Sequence, residues 1–254
     1  MTQFASALAL CGLVLVAGLW ADGGPQATPR ATADAVGMST QHLQNATAVL
    51  RQAVADRKIA GAVGLVARQG KIVYFEPVGL QSIESRAPMT ERSIFRIYSQ
   101  TKAVTAVAVM MLVEEGKLKL SEPVAKWLPE FKTVTVQGEG PAPRPPAREI
   151  TVEDLLLHTS GLSHRNDELY RTRQVRVRSQ ALPRFVSNIT QAPLMEDPGT
   201  RFRYSEGTTV LGRLVEIWSG KPFDTFVSER ILQPRDIPVW PRSARSHRSA
   251  NSPG

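Results

Sequence analysis

Apolar residues at Leu43, Ala46, Val49, Leu50 and Ala53 recur at helical spacing and predict an amphipathic helix over about Gln41–Arg57. The rhythm then changes. Ala60 to Tyr74 (AGAVGLVARQGKIVY) holds two β-rich runs that meet at Gln69-Gly70, the pattern of a hairpin. Residues 103–113 (AVTAVAVMMLV) are apolar almost all round, which predicts a helix buried rather than amphipathic, stopped at Gly116. The run ahead of it, Phe95 to Tyr98, reads as strand-like. Thr151 opens a short helix with Glu153 and Asp154 at its positive end, and Leu155 to Leu162 closes it in a tight glycine turn. Leu211, Leu214, Val215 and Trp218 stripe a further helix that ends at Gly220. Gly138 to Arg148 is a proline-rich surface loop.

The two ends break these rhythms. Phe4 to Trp20 is a run of 17 uncharged residues followed by small ones, with Ala21 in the position of a cleavage residue. We expect residues 1–21 to be a signal peptide, or else an uncleaved N-terminal anchor, and 22–40 a polar linker. The chain is then secreted or periplasmic, with no stable membrane span once the signal is removed. Its one cysteine, Cys11, lies inside that run, so the mature chain has no thiol for a disulfide, a nucleophile or a metal. At the other end, four Arg, four Ser and three Pro fill 11 of the 20 residues from 235 to 254. No periodic apolar face survives there, and a disordered basic tail is expected.

Composition narrows the class. With 254 residues, 42% hydrophobic and 21% charged, the chain has the balance of a globular domain rather than a fibre or a disordered polymer. The formal net charge of +8 is carried mainly by arginine, in part by the tail. No Lys/Arg block with interleaved aromatics occurs, so nucleic acid is not an expected partner.

Ser99-Gln100-Thr101-Lys102 opens the apolar helix, and its i, i+3 spacing puts hydroxyl and amine on one side. Burial and the positive helix end both favour a neutral lysine that accepts the serine proton, and the same end stabilises an alkoxide. The plainer reading is a capping serine followed by a lysine that reaches solvent. Tyr204-Ser205-Glu206 stands between the PGTRFR run and the Leu211–Trp218 helix. Tyr204 there is either a second proton carrier, its phenolate held by cations, or a half-buried core tyrosine. His158 reads better as a hydrogen-bonded structural histidine than as a base. No HExxH, GxSxG or P-loop occurs, which removes the main support for metalloprotease, α/β-hydrolase and NTPase readings.

Three linked segments carry a resemblance: FRIYSQTKAVTAVAVMMLVEEGKLKLSEPVAKWLPEF, then ITVEDLLLHTSGL, then PGTRFRYSEGTTVLGRLVEIWSGKPFDTFVSERILQP. In order and spacing, from about residue 40 to Pro234, the chain resembles the β-lactamase-related serine hydrolases. That superfamily includes class C β-lactamases, D-alanyl-D-alanine carboxypeptidases and esterases. The resemblance implies Ser99 as the acylated nucleophile, Lys102 as its partner base, and Tyr204 as the tyrosine that moves the leaving-group proton. The Ser99 backbone N–H would be one oxyanion donor. It implies an α+β fold, an antiparallel sheet flanked by helices, with a helical region from about Ser121 to Pro198. It also implies a small-molecule, peptide or ester substrate and neither a metal nor an organic cofactor.

Two departures qualify what is carried over. Glu206 stands where the family's Tyr-x-Asn motif has Asn, and a carboxylate there would hold the lysine charged or suit an ester better than a β-lactam. The family's later Lys/His-Thr/Ser-Gly strand has no counterpart after Pro234, so 41–234 reads as a partial domain cut short or out of frame, its sheet holding only the N-terminal strands. The expected function is a serine hydrolase acting through a covalent acyl-enzyme on ester, amide or β-lactam carbonyls, carboxylesterase or peptidase rather than β-lactamase. The other possibility is a truncated, non-catalytic remnant that binds cell-wall-like ligands, with Arg165, Arg171, Arg173, Arg176 and Arg178 either contacting anionic groups or forming a solvated face.

Overall fold

The computed structural model describes residues 28–137, 142–164, 168–177, 179–235 and 237, and these fall into two compact units, Met1–Ser93 and Ile94–Gly254. The expected signal peptide and nearly all of the expected basic tail lie outside the described residues, as do Arg165 and Arg178. No helix among the described residues is long and apolar enough to cross a membrane.

In the first unit, helix α1 (Thr40–Ala55) begins at Ser39, whose hydroxyl accepts from the His42 N–H at 3.3 Å. Strands β1 (Gly61–Arg68) and β2 (Lys71–Gly79) form the expected antiparallel hairpin. Gln69 and Gly70 both take left-handed backbone angles, φ 51° and 70°, as a two-residue turn between right-twisting strands requires. Helix α1 packs on the hairpin, and Thr47 on the helix meets the Tyr74 hydroxyl at 3.0 Å. Val49 departs from the predicted apolar stripe and stands 68% exposed. Part of the expected linker is structured: Ala31 N–H donates to Ile72 at 3.0 Å, and Ala33 and Val36 are buried.

The second unit is helical. Helix α2 (Thr101–Glu114) packs against α6 (Gly207–Ser219) and α7 (Phe223–Val227). The expectation that α2 is buried all round is corrected. Thr105, Ala108, Val109 and Leu112 are buried, but Val107 and Met110 on the other side are 48% and 42% exposed. Phe95 to Tyr98 is not strand-like either. Strand residues need a neighbour to satisfy their backbone groups, and this stretch instead runs irregularly into a 3-10 turn, Tyr98–Gln100, that leads straight into α2.

Between α2 and α6 lie α3 (Val152–Leu157), α4 (Glu168–Thr172) and α5 (Leu182–Ile189), in the region expected to be helical. Helix α3 starts with a full capping box: Thr151 Oγ1 accepts from the Asp154 N–H at 3.2 Å, and Asp154 accepts from the Thr151 N–H at 2.9 Å. The predicted stripe Leu211, Leu214, Val215 and Trp218 is buried, and Gly220 ends α6 at φ 69°. With Leu112, Leu155 and Ile189 these residues form the core of this unit. The chain is thus a mixed α+β protein whose sheet, among the described residues, is the two-stranded antiparallel hairpin.

Candidate active site

Ser99 lies in the turn at the head of α2 and is exposed. Its neighbour Tyr98 has φ 42°, a left-handed conformation that costs a non-glycine residue about 1–3 kcal/mol. Lys102 follows one turn on and is half-buried.

Tyr204 reaches this point through two loops clamped together. The N–H groups of Met195, Gly199 and Arg203 donate to the carbonyls of Gly161, Thr159 and His158, each at 2.8 Å, and the Glu206 N–H donates to Ser163 at 3.2 Å. An ion pair between Arg203 and Glu196 ties the second loop to itself. The approach is so close that a Cβ on Gly161, at φ 79°, would sit 2.2 Å from the Glu196 carbonyl oxygen. At the end of this clamp the Tyr204 hydroxyl donates to Ser99 Oγ at 2.6 Å. Lys102 Nζ lies 4.8 Å from the Tyr204 ring centroid. The tyrosine's pKa is lowered by its hydrogen bond with Ser99 and by Lys102, against the opposing effects of burial and the Glu206 carboxylate. The structure therefore brings the three expected site residues together.

Two imidazoles flank the tyrosine. His158 and His164 each stand with ring centroids 4.9 Å from that of Tyr204, tilted by 37° and 76°. His158 caps α3 at φ 58°, and its Nδ1 accepts the Ser205 N–H at 3.2 Å. Burial first, then the charges of Lys102 and His164, push its pKa down and favour the neutral ring. That is the structural role expected of it.

Glu206 corrects an expectation. It is 8% exposed, and its ion-pair partners are His164 at 3.0 Å and Arg176 at 3.1 Å, not Lys102. The Arg176 guanidinium attracts this carboxylate by charge without an aligned hydrogen bond, and Thr209 donates to the other carboxylate oxygen at 3.1 Å. The arginine run has mixed duties: Arg176 pairs with Glu206, and Arg173 donates to the Gln191 carbonyl at 2.8 Å. Sequence reasoning missed His164, which sits in a stretch with no periodicity or motif to mark it. Ser160 and Ser205, the other serines near these motifs, are fully buried, whereas Ser99 is open to a reagent. Among the described residues, no group of three or more His, Cys, Asp or Glu side chains is placed to hold a metal ion.

A family model described as Beta-lactamase matches residues 46–254. Esterase EstB of Burkholderia gladioli is 36% identical over 195 residues, which covers 74% of this chain and 48% of EstB. Among solved structures, EstCE1, a hydrolase with promiscuous acyltransferase activity, superposes with a TM-score of 0.66 at 30% identity over 76% of this chain and 51% of its own. Simvastatin synthase (LovD) from Aspergillus terreus does so with a TM-score of 0.67 at 26% identity, over 83% and 57% of the two chains. The chain spans about half the length of the relatives it matches.

Proposed function

The chain belongs to the Beta-lactamase family, with esterase and acyltransferase relatives, and we propose that it is a serine hydrolase that works through a covalent acyl-enzyme on carboxylic esters. The contact that carries this reading is the 2.6 Å hydrogen bond between Tyr204 and Ser99, made across 105 positions of the chain by two residues with no packing need to meet.

In the proposed cycle Lys102, as the free amine, takes the Ser99 proton as Oγ bonds to the ester carbonyl carbon. The oxyanion forms at the head of α2, where the positive end of the helix dipole offsets its charge. The tetrahedral intermediate then breaks its bond to the alkoxy oxygen. Tyr204, beside Ser99, hands that oxygen a proton that Lys102 restores. Water attacks the acyl-enzyme along the same proton path, releasing the acid and free Ser99. Glu206 supports an ester over a β-lactam: held by Arg176 and His164, it offers no amide donor for a substrate amide at this position.

A fluorophosphonate probe tests the reading. Intact-mass and peptide analysis should place one adduct on Ser99, absent in Ser99→Ala. An adduct on Ser160 or Ser205 would assign the nucleophile elsewhere, and no adduct at all would favour a non-catalytic, ligand-binding chain. We also infer export, from the uncharged Phe4–Trp20 run; N-terminal sequencing of the expressed protein should find a start near residue 22, and an intact cytoplasmic Met1 form would refute it.

A further inference from the structure

Tyr204 is 37% exposed, so packing in the core does not fix its ring. A tyrosine at the surface keeps its side-chain torsions free unless something walls it in. Its hydroxyl must nevertheless stay within hydrogen-bond reach of Ser99 Oγ to pass a proton there. The two imidazoles on either side of the ring supply the wall, and they are held in different ways. His158 sits at the end of α3, tied to the Ser205 N–H. His164 lies in irregular chain and is half-buried, with no helix or strand to place it.

What places His164 is Glu206. Its Nδ1 stands 3.0 Å from Glu206 Oε1, and the Glu206 N–H donates to the carbonyl of the preceding residue, Ser163, at 3.2 Å. An oxygen of a carboxylate this close repels a lone pair, so Nδ1 carries a proton in either charge state of the ring. The carboxylate is itself pinned, by Arg176 Nε at 3.1 Å on one oxygen and the Thr209 hydroxyl at 3.1 Å on the other. Arg176 Nη1 also donates, weakly, to the His164 carbonyl at 3.5 Å. A buried carboxylate drawn off these partners would be left with its charge uncompensated, which makes it a firm post.

Tyr204 and Glu206 flank Ser205, so one imidazole bridges two residues of the same short segment. It packs at 76° on the ring of the first, with centroids 4.9 Å apart, and places its nitrogen on the carboxylate of the second. Swinging the tyrosine to that side must displace His164, and His164 cannot move without giving up Glu206.

We propose that His164 is a positioning residue: Arg176 and Thr209 hold Glu206, Glu206 holds His164, and His164 keeps the Tyr204 hydroxyl on Ser99. Glu206 then acts on the proton path through an imidazole, not on Lys102. The proposal rests on Tyr204 serving as the proton carrier to the leaving group, and it names what keeps that carrier in place.

The test compares cleavage of ethyl acetate and phenyl acetate by the whole chain, two esters with one acyl group and different leaving groups. His164→Phe keeps a ring against Tyr204 and removes the nitrogen that meets Glu206. It should lower the ethyl acetate rate by about tenfold, within the roughly 10²-fold that a misplacement of about 1 Å can cost, and leave phenyl acetate nearly unchanged. Glu206→Ala should do the same, and the double variant should be no worse than either alone, because both act along one line. Glu206→Gln, which keeps an oxygen for Nδ1, should retain most of the wild-type ratio. In a Tyr204→Phe background, His164→Phe should change the ratio no further. If Glu206→Ala does not fold, His164→Phe in the two backgrounds decides alone. Equal losses for both esters, no loss for either, or a further change of ratio without the tyrosine hydroxyl would each overturn the positioning role while leaving a fluorophosphonate adduct on Ser99 intact. A wild-type chain that takes the probe on Ser99 but cleaves neither ester also removes it; failure of the probe as well removes the serine hydrolase reading with it.

Discussion

The backbone N–H of Ser205 donates to His158 Nδ1 at 3.2 Å, and that bond fixes the residue before it, Tyr204, over Ser99. An Nδ1 that accepts cannot also carry a proton, so the ring is neutral with its hydrogen on Nε2. Burial and the neighbouring positive charges of Lys102 and His164 act in the same direction.

Protonating His158 should therefore release the clamp. Its pKa in the folded chain lies below the ordinary histidine value of about 6.5, so the unfolded chain takes the proton first. Stability from this site is complete above pH of about 6.5 and declines as pH falls from there toward the folded value. His158→Gln should flatten that part of the stability profile in chemical denaturation. A profile identical to wild type would show that the Ser205 bond does not depend on the charge state of the ring.

Asp154 controls a lower window. Burial alone would raise its pKa, but hydrogen bonds from Arg148, Thr151 and Thr159 prevail and hold it at about 2. The carboxylate's contribution, about 2 kcal/mol, is present above the unfolded value near 3.9 and lost as pH falls through 2. Asp154→Asn should lower Tm at neutral pH, weaken the capping box of α3, and remove part of the acid dependence between pH of about 4 and 2, a window it shares with Asp197, which Arg144 and the Ala147 N–H also hold at about 2. If the variant keeps the wild-type acid slope, another carboxylate governs it.

Several of these features could be read from the chain itself. The capping box is a Thr and an Asp three positions apart ahead of an apolar run, and the stripe that ends at Gly220 needs only the helical period. Gln69-Gly70 between two β-rich runs announces its own turn. These are local relations, set within a few residues. What failed was decided by distant neighbours. Val107 and Met110 look as buried as Val109 on the sequence, and only the placement of α6 and α7 separates one face of α2 from the other. The Glu206 contacts were hidden for the same reason. Any of several cations could have answered that carboxylate, and the fold brings up Arg176 and His164 rather than Lys102. The pairing of Ser99 with Tyr204 was legible only through the family resemblance.

The exposed apolar residues on α2 and in the segment ahead of it have a measurable consequence. Ile94, Phe95, Ile97, Val107 and Met110 are all exposed, between 42% and 62%, more apolar surface than an isolated leucine or two would present. The chain should bind the dye ANS in its native state and self-associate as concentration rises. Val107→Ser with Met110→Ser should reduce both effects with no loss of Tm, since neither side chain is buried. Unchanged dye binding in that double variant would place the apolar surface elsewhere.

Lys102 and Tyr204 should separate cleanly if each has the role proposed. Lys102→Arg keeps the positive charge near the tyrosine ring but not the ability to give up a proton near neutral pH, so Ser99 acylation should fall by about 10²–10⁴. Lys102→Ala should fall as far, which would show that charge alone is not what the site needs. Tyr204→Phe keeps a ring between His158 and His164 and removes only the hydroxyl that meets Ser99. Its effect should depend on the leaving group. Phenolate esters, which depart without help, should lose little, whereas alkyl esters, whose alkoxide needs a proton, should lose about 10² or more. The ratio of the two rates is the readout, since a structural disturbance would lower both alike. Equal losses for the two ester classes would remove Tyr204 from the proton path and leave Lys102 to serve both halves of the cycle.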